Sequence, residues 1–183
     1  MTRFTITELM PRGPRRIVRQ ATGDRRGSFT RLFCDDDLIT AGWTGPMRQA
    51  NYSRTELSGT VRGMHFQSVP FAETKLVMCL SGAIWDVATD IRVNSPTFLT
   101  SVSTELSADN NAAMLIPPGF AHGFQTLSDN VDLIYFHSEI HVPEAEDGLH
   151  PLDRRLAIMW PKEITIMSNR DSSRPTLTDD FGK

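Results

Sequence analysis

The sequence predicts a mostly β fold in which short strands close into a sandwich or barrel. Eleven prolines and 12 glycines interrupt short apolar stretches, and no long segment has the 3.6-residue period of an amphipathic helix. Several strand-like segments follow one another over about 140 residues, which is typical of sandwiches and barrels. At 183 residues the chain can bury a core without disulfides or metals, so we expect one domain over residues 1–183.

The first pair of strands is predicted in residues 76–91. Two runs of strand formers, 76–80 and 83–91, flank a Ser-Gly turn, and this pattern predicts a hairpin. Alternation along the second run places Asp86 and Asp90 on the same face as Ile84. We therefore expect a carboxylate that points into the barrel.

A second hairpin is predicted from residues 122–127 and 131–137, which flank the polar turn 128–130. Alternate side chains of a strand point to the same side. Four residues of the second strand are therefore expected on one face: Val131, Leu133, Tyr135 and His137.

The segment from residue 143 to the end of the chain differs in character from the rest. Residues 143–148 are predicted as a loop, and residues 153–156 as a helical turn. Ser168 and Asp171 have the spacing of a capping box, which predicts a short helix. We expect residues 143–183 to form a C-terminal loop and short-helix extension of the same domain.

Residues 62–67, with the sequence Arg-Gly-Met-His-Phe-Gln, are the densest group of candidate catalytic side chains, and Lys75 follows soon after. A histidine can act as a general base, and a lysine can stabilise the oxyanion formed beside a carbonyl. The alternative is an edge-strand histidine between two solvated cations. Regular alternation of side chains along a strand places Arg62 and His65 on opposite faces. The two can share a site only if Gly63 permits a bulge or twist in the strand.

Three further residues have both a functional and a purely structural interpretation. The segment 117–124 predicts a rigid loop that presents His122 at a barrel mouth, where it could instead satisfy backbone groups. Tyr135 is either a proton donor or a core tyrosine with one hydrogen bond. Asp171 is either a site carboxylate or a helix cap.

Charge and cysteine content exclude several classes of protein. The net charge is −3 and the pI is about 5.9, which argues against nucleic-acid binding by phosphate neutralisation. Cys34 and Cys79 are too few for a disulfide framework, so we expect reduced, packed thiols in a cytoplasmic protein. Residues 1–7 contain no signal-like apolar run, and no segment has about 18 consecutive apolar residues, so we expect neither export nor membrane insertion.

We also expect no metal and no other cofactor. His65 is followed by Phe66 and Gln67 rather than by a second ligand. His137 and His141 are four residues apart in a strand that ends near Pro143, a spacing that does not predict a shared face. The donors therefore do not form a complete ligand set.

The sequence resembles the dTDP-4-dehydrorhamnose 3,5-epimerases, a family of small cupin-type jelly-roll dimers of rhamnose biosynthesis. The resemblance extends over about 150 residues in order and spacing. It includes residues 24–29, 49–53, 62–67, 75–77, 82–92, 95–98, 106–110, 116–124, 135, 146, 160–161 and 168–171. The fold that it implies is an all-β, cupin-type jelly-roll barrel with short C-terminal helical segments.

The resemblance implies a role for each matching residue. His65 resembles the base that removes the proton beside the keto group, Asp171 its orienting carboxylate, and Tyr135 the acid that returns a proton from the opposite face. Lys75 resembles the enolate stabiliser. The residues that match substrate-binding positions are Arg26, Gln49, Asn51, Arg62, His122, His141, Glu146 and Arg170. The implied activity is cofactor-independent epimerisation of a nucleotide-linked 4-keto-6-deoxyhexose by a homodimer.

Two departures from the family lie in the region that binds the nucleotide. Arg31 replaces a usual glutamate, and His141 replaces an aromatic ring that commonly stacks on thymine. The reaction type is therefore better defined than the sugar nucleotide. The alternatives are an epimerase of another sugar nucleotide, an epimerase of one carbon only, and a non-catalytic sugar-nucleotide-binding barrel.

Overall fold

The computed structural model describes residues 4–178 and 180–181, so the expectation about residues 1–7 rests partly on residues 1–3, outside that range. Strands dominate the fold, and the all-β prediction is confirmed. In chain order they are β1 (Phe4–Glu8), β2 (Arg15–Arg19), β3 (Thr22–Asp24), β4 (Gly27–Phe29), β5 (Gln49–Thr55), β6 (Val61–Gln67), β7 (Lys75–Ser81), β8 (Ala83–Asp90), β9 (Ser101–Ser107), β10 (Ala112–Ile116), β11 (Phe120–Thr126), β12 (Val131–His137) and β13 (Glu146–Gly148). The helices are α1 (Asp35–Ile39), α2 (Asn169–Ser172) and the 3₁₀ helix Pro143–Ala145.

Two antiparallel sheets pack face to face around the core. The six-stranded sheet has the order β1-β2-β10-β7-β12-β5, and the five-stranded sheet has the order β13-β6-β11-β8-β9. Apolar side chains from both sheets interdigitate between them, among them Val77, Ile84, Met114, Phe124 and Leu133. A third, two-stranded sheet is the hairpin of β3 and β4, which projects from this sandwich with all six residues exposed.

Both predicted hairpins are wrong in their pairing, although the strands exist. β7 pairs with β10 and β12, whereas β8 pairs with β9 and β11. β11 and β12 likewise belong to different sheets. Each turn carries the chain from one sheet to the other, because consecutive strands bury apolar faces against each other across the core. A turn sequence specifies a chain reversal and does not decide between these two outcomes.

The predicted faces within these strands are confirmed. Ile84 and Ala88 lie in the core between the sheets, and Asp86 is fully buried on the same face. Val131 and Leu133 lie in the same core, and Tyr135 packs against it. The inner face of β12 therefore leads from the apolar core towards polar residues at one end of the sandwich.

The segment after residue 143 lies along β6. Residues 146–148, predicted as loop, form β13 and pair with β6. Residues 153–156, predicted as a helical turn, form a single turn in which the Leu156 amide donates to the Asp153 carbonyl over 3.1 Å. The capping prediction is confirmed for Ser168, whose Oγ accepts a 3.1 Å hydrogen bond from the Asp171 backbone amide. This tail brings Asp171 beside β6.

The two cysteines are free thiols, as expected. Cys79 is buried in the core, and burial raises the pKa of its thiol to about 11, so it stays protonated. Within residues 4–178 and 180–181, the helices are all too short and too polar to cross a membrane.

Candidate active site

A pocket of about 320 Å³ opens between the two sheets at the polar end of the sandwich. Nine of the twelve predicted site residues line it: Gln49, Asn51, Arg62, His65, Lys75, His122, Tyr135, His141 and Glu146. Asp171 and Arg170 are not part of the lining but pair with His65 and Glu146, which are. The structure thus brings eleven of the predicted residues together, and Arg26 lies elsewhere.

A break in the alternation of β6 places Arg62 and His65 in the same pocket. Gly63 has a φ of 136°, and a Cβ atom there would lie 2.4 Å from the Gly123 Cα. The register with β11 shifts at this point, between His122 and Phe124. The predicted irregularity at Gly63 is confirmed, and it depends on glycine both for backbone angle and for space.

His65 and Asp171 form a hydrogen-bonded pair at the pocket wall. The His65 Nε2 lies 2.7 Å from the Asp171 Oδ1, and the Gly63 amide donates to the Asp171 Oδ2 over 3.3 Å. Burial raises the pKa of Asp171, but the hydrogen bond and charge of His65 outweigh it, so the pKa lies below its ordinary value. An ionised Asp171 orients the ring and leaves Nδ1 to accept a proton.

Tyr135 projects from β12, in the sheet opposite to that of His65. Its ring lies edge-on to His122 and roughly parallel to His137, with both centroid distances 6.2 Å. Burial raises the pKa of the phenol strongly, and the charge of Asp86 raises it further, while Arg62 opposes both. The phenol therefore keeps its proton until a stronger base forms beside it.

His122 lies inside β11, which starts at Phe120, two residues before the start of the predicted strand 122–127, so the preceding loop is shorter than predicted. The strand begins directly after the Pro-Pro-Gly turn, so the histidine is buried and only 6% exposed. Its Nε2 lies 2.7 Å from the Asp86 Oδ1. Burial raises the pKa of Asp86 above its ordinary value, although His122 opposes the shift. The inward carboxylate expected on β8 is therefore a partner of His122.

Two residues near Lys75, Glu73 and His137, line the pocket but were not among the predicted site residues. The Lys75 Nζ lies 3.2 Å from the Glu73 Oε1, and the His137 Nδ1 lies 2.9 Å from the Glu73 Oε2. His137 could have been found from its shared face with Tyr135. Glu73 precedes β7 in an irregular segment, where no periodicity indicates its direction.

The rim of the pocket holds a second shared carboxylate. Glu146 lies 2.9 Å from the His141 Nε2 and, through its other oxygen, 2.9 Å from an Arg170 guanidinium nitrogen. Burial raises the pKa of Glu146, but these two partners outweigh it and hold the pKa below its ordinary value. Glu146 therefore remains charged and fixes both side chains at the entrance.

His137 and His141 both line the pocket, so their four-residue spacing did not separate them as expected. His137 comes from β12, and His141 comes from the irregular segment that curves over the pocket after that strand. The two rings pair with different carboxylates. Within the part of the chain that the structure describes, no three His, Cys, Asp or Glu side chains form a metal-binding group.

Arg26 lies on the β3–β4 hairpin, outside the pocket of its own chain. Its guanidinium pairs with Asp24 of the same hairpin, and the side chain is 89% exposed. Phe29 on β4 is also largely exposed. Arg31, just beyond the hairpin, is exposed and does not line the pocket either.

Comparisons with known proteins identify one family. Residues 12–179 match the family model of dTDP-4-dehydrorhamnose 3,5-epimerase. The enzyme of that name from Sinorhizobium fredii is 42% identical over 86% of this chain and 81% of its own. A dTDP-4-dehydrorhamnose 3-epimerase from Streptomyces niveus is 37% identical over 89% of this chain and 79% of its own.

The fold agrees with solved structures of the same family. The crystal structure of dTDP-4-dehydrorhamnose 3,5-epimerase from Bacillus anthracis, with TDP and pyrophosphate bound, has a TM-score of 0.91 and 38% identity. The match covers 95% of this chain and 99% of that chain. The prediction of a cupin-type jelly roll is confirmed.

Proposed function

The chain belongs to the dTDP-4-dehydrorhamnose 3,5-epimerase family and is an isomerase, and from this we propose its substrate and the roles of its residues. The substrate is a deoxythymidine-diphosphate-linked 4-keto-6-deoxyhexose, and the reaction inverts carbons 3 and 5. The keto group acidifies the hydrogens on both neighbouring carbons, so a base and an acid suffice without a redox cofactor. The product would serve rhamnose or related deoxysugar biosynthesis.

The observation that carries this proposal is the placement of His65 and Tyr135 on opposite sheets that face one pocket. His65 accepts the carbon-bound proton at Nδ1, while Asp171 stabilises the resulting imidazolium. The electron pair of the broken C–H bond moves to the keto oxygen and forms an enolate, which Lys75 stabilises. Tyr135 then donates its proton to the other face of the carbon, which inverts the centre.

The remaining pocket residues fit the nucleotide and sugar. Arg62 supplies a planar cation that can bind a diphosphate oxygen. The chain as a whole is negatively charged and does not attract an anion, so a local cation is needed. Gln49 and Asn51 offer amides along the adjacent edge strand β5, and His122 contacts the sugar from the pocket floor. Glu146, His141 and Arg170 contact the nucleotide at the rim of the pocket. The Glu146 carboxylate accepts a hydrogen bond from the nucleotide, and the Arg170 guanidinium and the His141 imidazole lie beside it.

The position of Arg26 supports a homodimer. The β3–β4 hairpin is exposed and carries Arg26 away from the pocket of its own chain. A two-fold symmetric pair is the commonest assembly of soluble proteins, and in such a pair this hairpin would extend into the second copy. There Arg26 would bind the nucleotide beside the partner's pocket. The reduced thiols Cys34 and Cys79 are consistent with work in the cytoplasm.

Inversion of one carbon only is the second candidate. It is favoured by the Streptomyces niveus relative, whose name specifies a 3-epimerase, and by His141 at the rim in place of an aromatic ring. A non-catalytic binding barrel is the least favoured candidate, because it would not need an acid and a base on opposite walls.

Hydrogen exchange distinguishes these candidates. The protein would be incubated in deuterated water with dTDP-linked and other nucleotide-linked 4-keto-6-deoxyhexoses, and exchange at each carbon would be recorded by proton NMR. We expect exchange and inversion at carbons 3 and 5 of the dTDP-linked sugar. Exchange at one carbon only would establish the single-centre reaction. If no carbon of any tested sugar nucleotide exchanges, the protein is a non-catalytic binding barrel.

The same assay tests the base. His65→Asn should lower exchange at least a hundredfold, because a positioned base typically contributes that much. His150→Asn is the matched control: His150 lies outside the pocket, where its Nδ1 accepts the Leu152 amide over 3.1 Å. Asparagine can accept the same bond, so this variant should exchange like the wild type. Near-normal exchange by His65→Asn would place the base elsewhere.

A further inference from the structure

A hydrogen-bonded chain begins at the rim of the pocket and runs along β5. The His141 backbone amide donates to the Gln49 Oε1 over 2.9 Å, and the Gln49 Nε2 donates to the Asn51 Oδ1 over 3.1 Å. A backbone amide can only donate, so it determines the orientation of the Gln49 side chain. Gln49 in turn determines the orientation of Asn51 and directs its amide nitrogen towards β12.

The chain continues on β12 and ends at Lys75. The Asn51 Nδ2 lies 3.4 Å from the His137 Nε2, and the His137 Nδ1 lies 2.9 Å from the Glu73 Oε2. The other Glu73 oxygen, Oε1, accepts from the Lys75 Nζ over 3.2 Å. The amides that face the nucleotide are thus linked to the proposed enolate stabiliser.

The two ends of this chain determine the tautomer of His137. A carboxylate can only accept, so Nδ1 must carry the hydrogen that is donated to Glu73. The Asn51 amide nitrogen can only donate, so Nε2 must be the acceptor. Each contact of the chain then joins a donor to an acceptor, and His137 is the neutral Nδ1–H form.

Burial makes Glu73 the central group of this network. Its side chain is 6% exposed, and those of Lys75 and His137 are 11% and 12% exposed. Burial raises the pKa of Glu73, but the hydrogen bond from His137 and the charge of Lys75 outweigh it, so the pKa falls below its ordinary value. An ionised carboxylate therefore holds the ammonium and the imidazole in a fixed relation.

We propose that Glu73 and His137 are positioning residues that hold the Lys75 ammonium where the enolate oxygen forms. This inference rests on the proposed function, in which Lys75 stabilises that oxygen. A lysine has a flexible four-carbon stem and loses rotamer freedom when its amine is fixed. Glu73 restrains the amine before substrate binds, and His137 restrains Glu73 from its other oxygen. The 2.9 Å contact with Glu73 decides the tautomer of His137, and the longer 3.4 Å contact from Asn51 is compatible with it.

The first test uses Glu73→Gln, which keeps size and removes the charge. The amide oxygen should turn to the Lys75 ammonium, which leaves the amide NH₂ facing His137. His137 Nδ1 would then become an acceptor, and the ring should change from the Nδ1–H to the Nε2–H tautomer. Long-range proton–nitrogen NMR distinguishes the two forms, and the chain has only five histidines to assign.

The kinetic expectation for Glu73→Gln is a fall in kcat of about tenfold with little change in KM, because one charge-assisted contact to the amine is lost. Glu105→Gln, an exposed glutamate on β9, is the matched control and should leave both values unchanged. An unchanged tautomer, or an unchanged kcat, in Glu73→Gln would overturn the proposal.

A second pair of variants tests His137. Asparagine at this position can place an amide N–H near the site of the Nδ1–H and so still donate to Glu73, whereas leucine cannot donate. His137→Asn should therefore recover most of the kcat that His137→Leu loses, and equal kcat values would contradict the proposal. If the wild-type protein exchanges no carbon-bound hydrogen, the proposed function fails, and the NMR tautomer still decides whether Glu73 orients His137.

Discussion

Replacing Tyr135 by phenylalanine should separate proton removal from inversion. Phenylalanine keeps the ring that packs against the core and between His122 and His137, and it removes only the hydroxyl group. The base, its carboxylate partner and Lys75 lie on other strands or at other positions and are unchanged. The variant should therefore still form the enolate but lack the acid on the opposite wall.

The size of the effect follows from the state of the phenol. Burial and the charge of Asp86 raise the pKa of Tyr135, so essentially every molecule carries the proton to be donated. A positioned general acid contributes about 10²–10⁴ in rate, or about 3–5 kcal/mol at 1.36 kcal/mol per factor of ten. The inverted product should fall by that factor. Exchange should fall much less, because His65 can return deuterium to the face from which it removed hydrogen.

The assay follows deuterium incorporation and formation of the inverted sugar in the same sample. Tyr52→Phe is the matched control, since the Tyr52 hydroxyl is on an exposed side chain and donates to Asp132 over 2.6 Å. Tyr52 also lines the pocket, but its hydroxyl is held by Asp132, which pairs with Arg54 as well, so its removal should leave inversion unchanged. Inversion at the normal rate by Tyr135→Phe would refute the assignment, and His137 on the same face would be the first donor to examine.

Three other outcomes are expected. Activity should survive dialysis against a strong chelator, because the pocket imidazoles pair with carboxylates; loss restored by one divalent ion would contradict this. Light scattering should give twice the 20.5 kDa chain mass, whereas a constant single mass at micromolar concentrations would exclude the dimer. Burial raises the pKa of Asp90, but Arg92, Ser95 and Thr97 lower it to about 2. Asp90 should therefore contribute about 2 kcal/mol of stability above pH 4 that is lost towards pH 2, so in urea titrations the fall should be smaller by about that amount in Asp90→Asn.

The sequence located four of the strands but not their partners. Strand formers and turn residues act locally, and they correctly marked β7, β8, β11 and β12. Pairing depends on which apolar faces meet in the core, and this involves residues far apart in the chain. The Ser-Gly turn before β8 is compatible with a hairpin and with a crossing between sheets. Apolar side chains on both flanking strands allow the crossing, since each strand can bury its inner face against the other.

In the site, too, the sequence did not show which residues far apart in the chain contact each other. The resemblance to a family identified the pocket residues by their types and spacing, and the glycine at position 63 explained how Arg62 and His65 could converge. Neither signal could reveal Glu73, because its two contacts, Lys75 and His137, lie on different strands. The partner of His122 was visible only as an inward carboxylate, since the sequence does not show which strand faces β8.

The pocket contains histidine–carboxylate pairs with different roles, and the exposure of the histidine side chain distinguishes these roles. Each of its four histidines lies within 2.9 Å of a carboxylate: His65 of Asp171, His122 of Asp86, His137 of Glu73 and His141 of Glu146. The side chains of His65 and His141 are 32% and 50% exposed, so substrate can reach them. Those of His122 and His137 are 7% and 12% exposed, so most of their surface packs against protein groups even though both line the pocket. A buried imidazole bonded to a carboxylate restrains its surroundings, whereas the same pair at an open wall can exchange a proton with a ligand.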